Sequence, residues 1–225
     1  SPRETAIDCG LSYDSECPRD GYGCEHYNFD GLNIFALPRR AIHVDSSSEF
    51  SSLQFSNCMA SSTNDVHKPF GVPYKYGGCA AFHNGNSIIR DVLFKNCQAA
   101  DGGAVSIQST VSFQNVSFLG CSAYYGGSVL VSWGSLQWVG GTAVQTWVHG
   151  GNQHFGGVLG VNNGIVILHE VYFSRSISHG NYGVAIFTKV PINVTGCTFT
   201  NNNGPSGVSD IFYTAETPSE TEPLL

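Results

Sequence analysis

The chain has 225 residues, of which 41% are apolar and only 12% charged, with 27 glycines and a formal net charge of −7. So few charges, replaced by Gly, Ser and Asn, disfavour helices and favour strands and turns. The acidic balance excludes an ordinary nucleic-acid binder, and no apolar run reaches the ~20 residues of a membrane-spanning helix.

Residues 1–40 carry no repeat. They hold three of the eight cysteines (Cys9, Cys17 and Cys24), several acids, and one basic pair, Arg39-Arg40, that reads as a solvated turn. The segment is predicted to be a Cys-rich N-terminal cap, which a solenoid needs because its first coil otherwise leaves an open strand edge. The cysteine spacings are unlike those of zinc fingers, so disulfides are the expectation. Three cysteines cannot all pair among themselves, and one is expected to reach Cys58 or Cys79 and pin the cap to the first coil. The even total points to an oxidising compartment. The sequons Asn115-Val116-Ser117 and Asn193-Val194-Thr195 agree with an extracellular or cell-surface location, with Asn115 and Asn193 as glycosylation candidates. The chain opens at Ser1 with no leader in view, as a cleaved leader or a chosen boundary would leave it.

Residues 41–214 are periodic. Glycine pairs return as Gly77-Gly78-Cys79-Ala80, Gly102-Gly103-Ala104-Val105, Gly126-Gly127-Ser128-Val129 and Gly156-Gly157-Val158-Leu159. Weaker copies follow at Gly183 and Gly207. The interval is about 25 residues with one longer step, which is the signature of stacked equal units. Each of about six coils joins a β-rich run, an aromatic, a polar turn, the glycine pair and a second β run. Alternation in Val111, Phe113, Val116 and Phe118 gives strands with one buried face. The connecting stretches are too short for crossover helices, so like coils must stack as parallel strands. This predicts an all-β parallel β-helix with glycines at one recurrent corner and the aromatics Phe55, Phe94, Phe118, Phe173 and Phe199 filling the lumen. Trp138 is expected to take the aromatic place in the fourth coil. Cys58, Cys97 and Cys121 share one place in successive coils and should form an internal ladder, either as small buried residues or with one pair bonded.

Two stretches break the period, 60–76 and 139–155. Insertions in solenoids project from one side and often form the binding face. Residues 215–225 are acidic, lack a β pattern and read as a flexible tail.

The pairing of Phe-x-x-Cys/Asn with Gly-Gly-Ala-Val resembles the repeats of chlamydial polymorphic outer membrane proteins. Gly102-Gly103-Ala104-Val105 matches one half of that motif and Phe199-Thr200-Asn201-Asn202 the other. Cys58, Cys97, Cys121 and Ser176 stand where the repeat has asparagine. The resemblance covers residues 50–213. It implies a right-handed, pectin-lyase-like β-helix that is secreted or carried on a cell surface. The C-terminal membrane barrel of those bacterial proteins has no counterpart here, and used sequons would point to a eukaryotic relative.

Enzymes of that architecture need clustered carboxylates for Ca²⁺ binding or acid–base work. The periodic region offers Asp91, Asp101, Glu170 and Asp210 in different coils. Asp91 and Glu170 share a phase but lie three coils apart, roughly 14 Å, too far for a carboxylate pair. No catalytic, cofactor or metal residue is therefore assigned. His149 and His154 share an insertion that His169 or His179 could approach, but no compact metal spacing appears and surface histidines are the simpler reading. Tyr74, Tyr76, Tyr124, Tyr125, Trp133 and Trp147 fall near turns, as a platform for sugar rings or a protein partner, or as lumen packing. Two functions remain. One is a structural or adhesive surface protein that self-associates or binds other extracellular proteins, as the subunit of a filament. The other is a polysaccharide-binding or polysaccharide-cleaving protein.

Overall fold

The computed structural model describes residues 28–30, 33–35, 42–44, 46–58, 77–123, 125–148, 156–179, 183–205 and 210–214. The cap cysteines Cys9, Cys17 and Cys24, the tail 215–225 and most of the two insertions lie outside the described residues.

Three faces stack seven strands each. Face A holds β1 (Asn28–Asp30), β4 (Ser48–Ser51), β7 (Asn86–Arg90), β10 (Thr110–Gln114), β14 (Ser135–Val139), β18 (Ile165–His169) and β22 (Asn193–Thr195). Face B holds β2 (Asn33–Phe35), β5 (Gln54–Ser56), β8 (Leu93–Lys95), β11 (Ser117–Leu119), β15 (Thr142–Val144), β19 (Tyr172–Ser174) and β23 (Thr198–Thr200). Face C holds β3 (Ile42–Val44), β6 (Ala80–Phe82), β9 (Val105–Ile107), β13 (Val129–Val131), β17 (Leu159–Val161), β21 (Ile186–Thr188) and β24 (Ile211–Tyr213). A short fourth ladder between faces B and C joins β12 (Ser122–Ala123), β16 (Trp147–Val148) and β20 (Ile177–Ser178). The chain visits A, B and C in turn and then repeats, and its ladders are parallel, as in β7–β10–β14. This is the parallel β-solenoid that the repeat predicts. Its ladder reaches Asn28, inside the 1–40 segment.

Local sequence explains each side of the coil. In β10, Val111 and Phe113 are buried while Thr110 and Gln114 are exposed, the period-two pattern of a half-buried strand. The A-to-B corner has constant length. It is Ser52-Leu53, Asp91-Val92, Asn115-Val116, Gly140-Gly141, Glu170-Val171 and Gly196-Cys197 in successive coils, with the first residue always at positive φ. The stretch from face B to the glycine pair varies instead; 60–76 falls there, whereas the expected insertion 139–155 begins too early, since Val139 ends β14, Gly140-Gly141 is the A-to-B corner and Thr142–Val144 is β15. At the glycine corner the constraint is steric as well as conformational. Gly102 has φ +61°, and a Cβ on Gly103 would lie 2.2 Å from the Gly127 carbonyl oxygen of the next coil.

The lumen is an aromatic stack. Phe55 lies on Phe94 and Phe94 on Phe118, with centroids 5.0 and 5.1 Å apart, and Phe173 lies on Phe199 at 4.9 Å. The fourth coil corrects the sequence reading. Ala143, not Trp138, is in register with Phe118 and Phe173. Trp138 belongs to face A, in register with Phe113 and Leu168. Its indole crosses the lumen and meets Phe118 at 5.2 Å and Phe173 at 5.6 Å, both edge-on. The methyl of Ala143 leaves the volume that this ring fills, so the aromatic column continues by substitution from another face.

Face C differs from the others. All three residues of β6, β9, β13, β17 and β21 are buried, including Ala81, Ser106, Leu130 and Phe187 at the middle position.

Candidate functional site

The Phe-x-x-Cys element has a definite geometry. Its third residue, Asn57, Asn96, Gly120, Gln145, Arg175 or Asn201, sits at positive φ and turns the chain out of face B. This second left-handed corner, like the A-to-B corner, is filled mostly by residues other than glycine and is not evident from the glycine pairs. The signal was present as Asn and Gly recurring at this phase, since Asn tolerates that region better than most side chains. The fourth residue, Cys58, Cys97, Cys121, Thr146 or Ser176, is directed inward and buried. Successive rungs join there through Gln98 N–H to Cys58 O (2.9 Å), Ser122 N–H to Cys97 O (2.9 Å) and Trp147 N–H to Cys121 O (3.0 Å). The expected internal ladder of cysteines is thus formed.

Its bonding differs from the expectation for the cap. Cys79 pairs with Cys97, with Cα atoms 6.1 Å apart, and Cys58 carries a free buried thiol. Cys79 is therefore closed to the cap and Cys58 has no bond among the described residues, while Cys9, Cys17 and Cys24 lie outside them. The reason is local: Cys79 follows the glycine pair, and that corner packs directly on the inward ladder. One rung on, the same corner packs equally closely on the ladder, where a Cβ on Gly103 would lie 2.4 Å from the Ser122 carbonyl oxygen. The sulfurs of Cys58, Cys79 and Cys97 all lie within 4.8 Å of one another. Burial pushes the Cys58 and Cys121 thiols up to about 12, only partly opposed by hydrogen bonds to backbone carbonyls. Both are thiols, not thiolates, at neutral pH.

The acids remain dispersed. Asp91 Oδ1 accepts a 2.7 Å hydrogen bond from Asn115 Nδ2 one rung away. Glu170, three rungs along the same corner, sits 3.6 Å from His169. Asp101 bridges to Tyr125, and the backbone carbonyl of Asp210 accepts from the Ala185 and Ile186 amides. Among the described residues these four carboxylates do not converge. Arg90 pairs with Glu49 and donates to Gln114 Oε1 at 2.9 Å. A small interior space lined by Ile42, Phe50, Phe55, Ala80, Phe82, Ile89 and Phe94 offers only apolar walls. His179 is exposed, while His149 and His154 lie outside the described residues, so the histidine grouping stays open.

On the outside, Trp133 is 62% exposed in the turn before β14, which decides its case against lumen packing. Tyr125 and Trp147 are half-buried, and Tyr74, Tyr76 and Tyr124 lie outside the described residues. Ile165 and Ile167 project from face A, and Ile167 is in register with the sequon residue Asn193. Both Asn115 and Asn193 are exposed. At the last rung Val194, Cys197, Phe199 and Ile211 are only partly buried, and among the described residues β22, β23 and β24 each pair with a strand on one side.

Comparison with protein-family models, with curated proteins and with solved structures finds no match to this chain. Among the described residues, no helix is long and apolar enough to cross a membrane.

Proposed function

We propose that the protein is a secreted or cell-surface structural or adhesive protein, the repeating subunit of an extracellular filament. The observation that carries this reading is the last rung. Among the described residues its strands have a neighbour on one side only, and Val194 and Phe199 continue the core to that rung while only partly buried. A cap or tail exchanged between neighbouring copies would close these edges. Parallel addition of one ladder to the next is a heterologous, head-to-tail contact, and such contacts generate open filaments. The eight cysteines, the two exposed sequons and the resemblance to chlamydial surface-protein repeats, with the right-handed pectin-lyase-like fold it implies, support an extracellular setting.

The test is assembly. Protein from a eukaryotic secretory host should form end-to-end oligomers that lengthen with concentration, seen by negative-stain imaging and light scattering. Phe199→Lys should abolish them while leaving the β circular-dichroism signal intact. Wild-type protein that stays monomeric at every concentration would refute the reading.

A polysaccharide-binding role is the second reading, favoured by the exposed Trp133, two residues before the Ser135 that pairs with the projecting Ile165. Quenching of tryptophan emission by soluble glycans, lost in Trp133→Ala, would distinguish it.

A further inference from the structure

We propose that Cys58, Cys79 and Cys97 form a three-sulfur exchange centre, in which one disulfide has two alternative closures, Cys79–Cys97 and Cys58–Cys97. Three observations carry this. The three sulfurs lie within 4.8 Å of one another, so the free Cys58 thiol is a neighbour of both bonded sulfurs. Cys58 and Cys97 occupy the same place on adjacent rungs, joined by the Gln98 amide to the Cys58 carbonyl. Adjacent rungs place Cα atoms about 4.8 Å apart, inside the range a disulfide spans. All three residues are fully buried, at 0% exposure, so solvent thiols are kept out and exchange is confined to the cluster.

The step balances within the protein. The Cys58 sulfur, as thiolate, attacks Cys97 Sγ and forms the Cys58–Cys97 bond. The Cys79–Cys97 bond breaks with its electron pair passing to Cys79 Sγ, which takes up the proton that Cys58 gave. One thiol and one disulfide are present before and after, so no oxidant or reductant is consumed. Cys121 is not one of the three mutually close sulfurs, and its thiol is turned to the Phe94 carbonyl at 3.5 Å. The location gives the exchange a consequence. Cys58 and Cys79 bracket residues 59–76, and the alternative closures tie Cys97 to either end of that insertion.

The full-length oxidised protein is incubated without oxygen at neutral and alkaline pH, quenched in acid, unfolded in the presence of N-ethylmaleimide and mapped without reduction. The expected result is a Cys58–Cys97 peptide appearing together with maleimide on Cys79. Because attack requires the thiolate, its rate should rise about tenfold per pH unit below the thiol's pKa. Cys58→Ser should abolish the signal. In folded Cys79→Ser, oxidised with glutathione disulfide, Cys58 and Cys97 should pair. Maleimide found only on Cys58 and never on Cys79 in the wild type, with both thiols free in folded Cys79→Ser, would overturn the proposal. Bonds spread over Cys121 and Cys197 as well would overturn it too, since they report exchange through the unfolded chain.

Discussion

Trp138 and Ala143 form one packing unit contributed by two faces, which makes their coupling measurable. Trp138 is fully buried and lies 5.2, 5.6 and 5.8 Å from Phe118, Phe173 and Phe113. Truncation to Ala removes an aromatic side chain that buries roughly 200 Å², and at about 25 cal/mol/Å² this is about 5 kcal/mol. Measured Trp-to-Ala changes of this kind fall at about 3–5 kcal/mol. Ala143→Phe alone adds a ring where the indole already lies and should cost about 1–3 kcal/mol through overpacking. Combined, the two changes return the Phe column to its regular form, because residue 143 is in register between Phe118 and Phe173. The double variant should therefore be at least about 2 kcal/mol more stable than the sum of the single changes predicts. Guanidinium unfolding followed by far-ultraviolet circular dichroism gives all four corners of the cycle. If the double variant equals the sum within about 0.5 kcal/mol, the account of Trp138 as the replacement for an absent ring is wrong.

Other consequences are as specific. Gly103→Ala should cost more than about 3 kcal/mol or prevent folding, since its Cβ would meet backbone oxygens at 2.2 and 2.4 Å, whereas Gly140→Ala meets nothing nearer than 3.9 Å and should lose only about 1–2 kcal/mol from its positive φ; thermal melts compare them. Cys58 and Cys121 have thiols raised from 9.0 to about 12, so the unfolded chain loses those protons first. The stability present below pH 9.0 should fall above it, by up to about 1.4 kcal/mol per pH unit per thiol, relative to a Cys58→Ser/Cys121→Ser variant; identical slopes for the two proteins would contradict this. Glycopeptide mapping of native material should find occupancy at Asn115 or Asn193, and two bare asparagines would remove the main support for a eukaryotic secretory origin. Non-reducing mapping should find Cys9, Cys17 and Cys24 oxidised, and free thiols there would sink the disulfide-tied cap.

The architecture was legible because one constraint repeats. Gly102 and Gly103 need a corner without side chains, and the same need returns at Gly126-Gly127 and Gly156-Gly157 until it outweighs local ambiguity. The alternation of Val111, Phe113, Val116 and Phe118 likewise assigned inside and outside correctly. What was not legible depends on contact between coils. Nothing in the Trp138 neighbourhood of the sequence says that its ring crosses from face A to fill a gap on face B. The Cys79–Cys97 bond, at a separation of 18 residues, joins two phases of the repeat whose closeness appears only when the glycine corner is folded onto the inward ladder. The left-handed corners at Asp91 and Glu170 were visible as recurrent phases, yet acids there read first as chemistry and only then as turn residues.

The division between one corner of fixed length and one of variable length has a geometric outcome. The stretch 59–76 leaves after Cys58 and rejoins at Gly77, and the stretch 149–155 leaves after Val148 and rejoins at Gly156. The two rejoining points are the same corner three rungs apart, which the strand spacing fixes at about 14 Å. The solenoid therefore works as a ruler for the two attachment points, whose separation follows from rung count and not from the length or sequence of either stretch.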